Sequence, residues 1–204
     1  MFVTACTIDT PYEALAEQCR DVWAKLGITV RVVRYRTRGN WTLNNLEVPE
    51  CIGKVWDGSG PVVWMDSEIR PNAFYPGEEC ALALQAIHDG EADVSCEFRP
   101  DQPEYQTVST GIVHFSGSDA ALKLFEDWRR ECREADMSEP VVQKGADQLM
   151  LWRLLKDREG INWKRLEDGT NQRYERHTDT SAYISHFLHI PASHKYKGVA
   201  HGNG

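Results

Sequence analysis

No apolar run in the 204-residue sequence approaches the ~18 residues that a membrane-crossing helix requires. The first residues, MFVTACTIDT, carry no charged-then-apolar signal layout. Both absences predict a cytosolic protein. Positive charge is in deficit: 23 Lys and Arg against 31 Asp and Glu leave a net charge of −8. That balance argues against a general nucleic-acid or anionic-membrane binder, which needs a basic surface. The six cysteines form no C-x-x-C pair and several sit inside apolar patterns. They read as reduced, mostly buried thiols and not as a disulfide or zinc framework. No G-x-G-x-x-G follows the first strand, and neither a G-x-x-x-x-G-K-[ST] loop nor a G-x-S-x-G elbow is present. The dinucleotide fingerprint, the P-loop and the hydrolase nucleophile turn are thereby excluded. Ser, His and Asp all occur, but no arrangement of them singles out a triad.

What remains is a chain of ordinary globular composition, 41% hydrophobic and 26% charged, long enough for one domain with a sizeable core. The run Phe2 to Thr7 is β-prone. Thr10-Pro11-Tyr12-Glu13 then offers a cap, a proline at the first helical position and a capping-box acid. Apolar residues from Leu15 to Leu26 recur at helical spacing, and Gly27 ends the helix. Ile28 to Tyr35 reads as a second strand, which makes a right-handed βαβ unit and a parallel sheet. Asn40 to Ser59 reads as irregular, with one short helix around Ile52 to Trp56. Strands are expected at Ala92 to Phe98, Thr107 to Phe115 and Asn162 to Leu166. Helices are expected at Glu78 to His88, after Ser118, and from Asp147-Gln148. Pro71 to Gly77 and Asp136 to Lys144 read as loops. Alternating strands and helices give an α/β fold.

The chemistry concentrates in Gly60 to Arg70, GPVVWMDSEIR. Pro61 to Met65 is a short apolar run bounded by turn residues, the pattern of a strand buried on both faces. Where the run stops, Asp66 and Glu68 follow. In an extended backbone, positions two apart point the same way, so the two acids are expected to converge at the carboxyl end of a central strand, where open α/β sheets bind ligands. Two carboxylates on one face repel unless a cation lies between them. A hard divalent ion, Mg²⁺ or Mn²⁺, meets that need and commonly carries a substrate's phosphates. The alternative is an exposed turn with two solvated acids. Arg34, Arg36 and Arg38 alternate at the end of the second strand, as a phosphate or acceptor contact or as the charges that protect an edge strand. Gly111, inside a strand, marks either a close ligand or a bulge. Among seven histidines, His186 follows a late β-like run that can return to the sheet and join the acid pair.

In order along the chain, these elements resemble nucleotide-sugar-dependent glycosyltransferases of the GT-A fold. Val3 to Tyr12 is similar to the strand and capped helix on which such enzymes seat the nucleotide base. Val62-Val-Trp-Met-Asp-Ser-Glu68 resembles the family's apolar strand followed by a DxD motif, with Glu68 in place of the second Asp. Ser109-Thr-Gly-Ile-Val-His-Phe115 is similar to its Asn-Ser-Gly strand, with Ser-Thr in place of Asn-Ser. Asp147-Gln148 is like the pair that opens a helix in the glycogenin-like and galactosyltransferase-like retaining groups. Ile184-Ser-His186 is like the late His of the metal site.

The resemblance implies a single domain with a mostly parallel central sheet. Residues 1–98 would form the nucleotide-binding half, and residues 99–204 the acceptor side with a segment closing over metal and donor. It implies Mn²⁺ or Mg²⁺ held by Asp66, Glu68 and His186. The donor would be a nucleoside-diphosphate sugar, a UDP-sugar being the common case. Base and ribose would be contacted by Thr4, Thr7, Asp9 and Tyr12, the sugar by Gly111, and the leaving phosphates by Lys195 or Lys197. Asp147 and Gln148 would orient the sugar or the reacting face, with retention favoured. Capping by Asp9 and Thr10, core packing by Tyr12 and a solvated tail at both lysines are the structural alternatives. The acceptor could be a glycan, a protein, a lipid-linked sugar or a modified nucleic-acid base. The short chain suits a bacterial or viral enzyme. Three rivals stand: a sugar nucleotidyltransferase, which would carry a Gly-rich loop where Thr7 to Tyr12 stands; a non-catalytic nucleotide- or sugar-binding module of the same fold; and an acidic interaction protein.

Overall fold

A computed structural model describes residues 1–166, residue 182 and the strand backbones at 171–174 and 184–187. Strand β1 (Phe2–Thr7) leads into helix α1 (Pro11–Ala24) and returns as β2 (Val30–Tyr35). Thr10 caps α1 by accepting from the Tyr12 amide, and Glu13 reaches back to the Asp9 amide at 3.4 Å. The capping box thus closes one residue earlier than the sequence suggested. Two short helices follow, α2 (Trp41–Asn45) and α3 (Val48–Gly53), in the stretch expected to be mostly irregular. The Asn40 side chain caps the first, and Pro49 sits in the first turn of the second. Strand β3 (Val62–Met65) is buried at all four positions, as its unbroken apolar run required.

Strand β4 (Ile69–Pro71) precedes the expected loop and takes in only its first residue, Pro71. Then come α4 (Gly77–His88), β5 (Val94–Phe98), a 3₁₀ turn at Glu104–Gln106, β6 (Val108–Phe115), α5 (Asp119–Glu134), α6 (Pro140–Lys156) and β7 (Trp163–Arg165). The late strands are β8 (Asn171–Tyr174) and β9 (Ile184–Phe187).

The main sheet runs β2-β1-β3-β6-β5-β7. The β1–β2, β1–β3 and β5–β7 pairs are parallel, whereas β6 is antiparallel to both neighbours. Five strands thus share one direction. Alternate residues feed two cores, as a period of two requires. Val62 and Trp64 face α3, α5 and α6, while Val63 and Met65 face α1 and α4. A layer of helices therefore covers each face. Trp56, Phe115, Phe125 and Trp128 form an aromatic cluster on the first face, with ring centroids 5.0 Å apart at Trp56–Phe125 and 5.9 Å at Phe115–Trp128. All six cysteines are buried and free. The arginine-bearing β2 is an edge strand, with Arg34 paired to Glu13 and Glu17 and Arg38 to Glu47. A smaller sheet, β4-β9-β8, stands beside the main one. No helix among the described residues is long and apolar enough to cross a membrane.

Candidate active site

The carboxyl ends of β1 and β3 open beside the loop from Thr7 to Pro11. Thr7 and Thr10 hydroxyls meet at 2.7 Å, and the Ile8 amide donates to the Tyr35 carbonyl at 2.9 Å, so this loop is tied to the sheet. Asp9 stands exposed at its tip with φ 59°. A non-glycine residue held in this left-handed region is over-determined by its surroundings, which is common in ligand loops. Thr4 lies deeper in β1, fully buried, and its Oγ1 has no hydrogen-bond partner.

Asp66 extends the β3–β6 ladder by one bond, its amide donating to the Gly111 carbonyl at 2.8 Å. The chain then turns instead of continuing extended. The Ile69 amide closes on the Asp66 carbonyl at 3.0 Å. The expected strand alternation at Asp66 and Glu68 is corrected accordingly: the two acids stand in a turn. Both bear on Tyr12, whose hydroxyl is held far above its usual pKa by burial, then by Glu68 and by Asp66. Trp64 Nε1 donates to Asp66 Oδ1 at 3.3 Å.

Gly111 holds the turn through its backbone: its carbonyl takes the Asp66 amide, and its own amide donates to Ser109 Oγ at 3.3 Å. Strand β6 is irregular here. Cys96 pairs with Val113 but Glu97 pairs with Ser109, so Thr110, Gly111 and Ile112 oppose no β5 residue. Such bulges re-aim side chains. The Thr110 hydroxyl hydrogen-bonds the carboxylate of Asp147.

Asp147 lies in the middle of α6, not at its start. The helix begins at Pro140, inside the expected loop, because proline suits the first helical turn. It breaks at Ala146, with φ 42° and ψ −126°, and resumes at Asp147. Asp147-Gln148 therefore opens the second half of a kinked helix. Tyr105 of the 3₁₀ turn presses on the first half so closely that a Cβ on Gly145 would lie 2.5 Å from the Tyr105 Cβ. On the far side, Trp128 Nε1 donates to the Asp147 carbonyl at 3.0 Å. The Asp147 side chain is 1% exposed, and its Oδ2 has no hydrogen-bond partner. Burial drives its pKa up to about 7; Asp66 pushes the same way, while Thr110 and the backbone amides of Asp147 and Gln148 oppose it. Gln148 is half-buried beside it.

The fold therefore gathers Tyr12, Asp66, Glu68, Thr110, Gly111 and Asp147. His186 is represented by its backbone, which pairs with Ile69 one residue beyond Glu68; its side chain lies outside the described residues. Asn72 Nδ2 anchors that late segment by donating to the Ala182 carbonyl at 2.5 Å. Lys195 and Lys197 also lie outside the described residues. Among the described residues, no three His, Cys, Asp or Glu side chains gather as a metal-binding group. The residues present still suit a hard cation: two carboxylates share one turn, and a third, buried and partly unpartnered, feels Asp66. Trp64 and Arg70 were not singled out from the sequence, and Thr110 entered only as the residue standing where the Asn-Ser-Gly pattern has Ser. Thr110 differs by one methyl group from the serine of the Asn-Ser-Gly pattern, and Arg70 directly follows the acid turn, which is the signal each one offered.

No protein-family model matches the chain, and no curated protein sequence matches it significantly. Solved structures do. One is a glycosyltransferase involved in glycosylation of the major capsid of PBCV-1, with TM-score 0.64 and 12% identity over 95% of this chain and 96% of that one. Another is the galactosyltransferase LgtC in complex with donor and acceptor sugar analogs, with TM-score 0.50 and 13% identity over 92% and 86% of the two chains. With the strand order, these likenesses establish the GT-A fold that the motif order implied.

Proposed function

We propose that the chain is a metal-dependent glycosyltransferase that moves a sugar from a nucleoside-diphosphate sugar, a UDP-sugar in the first instance, to an acceptor. The observation that carries this reading is the meeting of Asp66, Glu68 and Tyr12 with the buried, partly unpartnered Asp147 at the carboxyl end of the central sheet. The PBCV-1 and LgtC likenesses support it through the fold.

In this reading residues 1–98 hold the nucleotide and residues 99–204 the acceptor side. Asp66, Glu68 and His186 hold Mn²⁺ or Mg²⁺, which when bound neutralises negative charge growing on the departing diphosphate. The loop from Thr7 to Tyr12 receives base and ribose. Asp147, held by Thr110, accepts from the donor sugar's hydroxyls through its unpartnered Oδ2, and Gln148 lies against the reacting face. The likeness of Asp147-Gln148 to the pair of the retaining groups favours retention of anomeric configuration.

The test is release of nucleoside diphosphate from a panel of nucleotide sugars with Mn²⁺ or Mg²⁺. One donor should be hydrolysed slowly in water, with metal required and Asp66→Asn inactive. Release that ignores metal, or survives Asp66→Asn, sinks the proposal.

A further inference from the structure

The acid turn between β3 and β4 is short and irregular, and its own backbone closes it with a single hydrogen bond, Ile69 to Asp66. Two like charges in such a turn tend to spread it. Something must hold it in shape before any ligand arrives, because preorganised sites bind without first ordering their ligands.

Arg70 is placed to do this. Its Nη1 donates to the Ser67 carbonyl at 2.8 Å and to the Ile69 carbonyl at 2.9 Å, so one nitrogen spans the turn. Its Nη2 donates to the Leu15 carbonyl of α1 at 2.9 Å. Arg34, Arg38, Arg99 and Arg129 instead bond carboxylates. The Ile69 carbonyl also receives Trp23 Nε1 at 3.3 Å and Cys19 Sγ at 3.4 Å, both from α1. Helix α1 carries Tyr12 in its first turn, the residue on which both acids bear. Arg70 therefore fixes the turn internally and ties it to the helix that carries Tyr12.

We propose that Arg70 is the positioning residue of this site: its guanidinium clamps the Asp66–Ile69 turn against α1 and sets how the acid pair meets metal and nucleotide. The proposal rests on the reading of Asp66 and Glu68 as metal ligands. A lysine at this position keeps the charge but lacks the planar fork that bonds carbonyls on both sides.

The experiment compares wild type, Arg70→Lys and Arg70→Met by amide hydrogen exchange and by UDP titration with and without Mn²⁺. Arg70→Met should speed exchange of the Ile69 amide at least tenfold while amides of β2 hold their protection. It should weaken Mn²⁺-dependent UDP binding by at least tenfold, with Arg70→Lys recovering only part of the loss. An unchanged Ile69 amide, or equal acceleration of every core amide, overturns the clamp and leaves Arg70 a general stabiliser. If wild type shows no Mn²⁺-dependent UDP binding, the metal reading fails by itself, and the Ile69 exchange rate alone decides for or against the clamp.

Discussion

Replacing Asp147 with Asn should make the protein more stable at neutral and alkaline pH and abolish its activity. The carboxylate is buried with one oxygen unpartnered, and its folded-state pKa is raised from 3.8 to about 7. A raised carboxyl binds its proton more tightly in the folded state than in the unfolded one. Stability is therefore full below the unfolded value and is lost as pH rises toward the folded one. The slope is about 1.4 kcal/mol per pH unit, and the total over this interval is about 4 kcal/mol. Asn mimics the protonated acid: it can still accept from Thr110, and it leaves a neutral group where Oδ2 stands. The two proteins should thus be nearly equal near pH 4. They should diverge steadily to about pH 7 and run parallel above it, with Asp147→Asn ahead by up to about 4 kcal/mol. For a chain of this size each kcal/mol moves the melting midpoint by about 2–4 °C. Urea titrations of both proteins at pH 4, 5, 6, 7 and 8.5 measure the divergence. Parallel curves across the whole range would show that Asp147 meets a counter-charge or water that satisfies it, and would refute the reasoning.

His114 should act with the opposite sign. It is fully buried on β6, and burial, then the charge of His88, lowers its pKa from 6.5 to about 4, with a hydrogen bond to His88 and the charge of Asp89 opposing. It stays neutral when folded, so its contribution is present above the unfolded value and lost as pH falls through this window, by about 3 kcal/mol in all. Between about pH 4 and 6.5 it offsets Asp147. His114→Leu should remove the loss on acidification, and an unchanged acid limb in its urea midpoints would count against the assignment. Ala146→Gly should stabilise by about 1 kcal/mol, since relief of a strained non-glycine backbone, worth about 1–3 kcal/mol, outweighs the added freedom of the unfolded chain. A lower melting midpoint would mean that the kink carries no strain.

The parts of the fold that the sequence made legible were set by local chemistry. The buried β3 followed from an unbroken apolar run, and α1 from its cap, proline and apolar spacing. The turn that carries Asp66 and Glu68 depends on bonds to Gly111 and Arg70 that no local pattern reveals. The start of α6 was missed because Pro140 to Lys144 is held as helix by the 3₁₀ turn packing on Gly145. The kink that places Asp147 has the same tertiary origin, with Trp128 bonding its carbonyl from behind. The reversed direction of β6 was equally hidden, since an isolated strand carries its burial pattern but not its orientation. The orphaned atom of Asp147 could not be read at all, because it depends on what surrounds it from three elements.

The central claim is that Asp66 and Glu68 form a metal-dependent nucleotide site. Its most direct test is thermal denaturation of wild type and Asp66→Ala with UDP, with Mn²⁺ and with both. A ligand that binds only the folded state raises the midpoint by mass action, by about 4 kcal/mol at a thousandfold excess over its Kd. The account predicts a clear upward shift with UDP and Mn²⁺ together, a much smaller one with either alone, and none beyond the metal-free value in Asp66→Ala. A midpoint unmoved by the pair in wild type, or moved equally in Asp66→Ala, would contradict it.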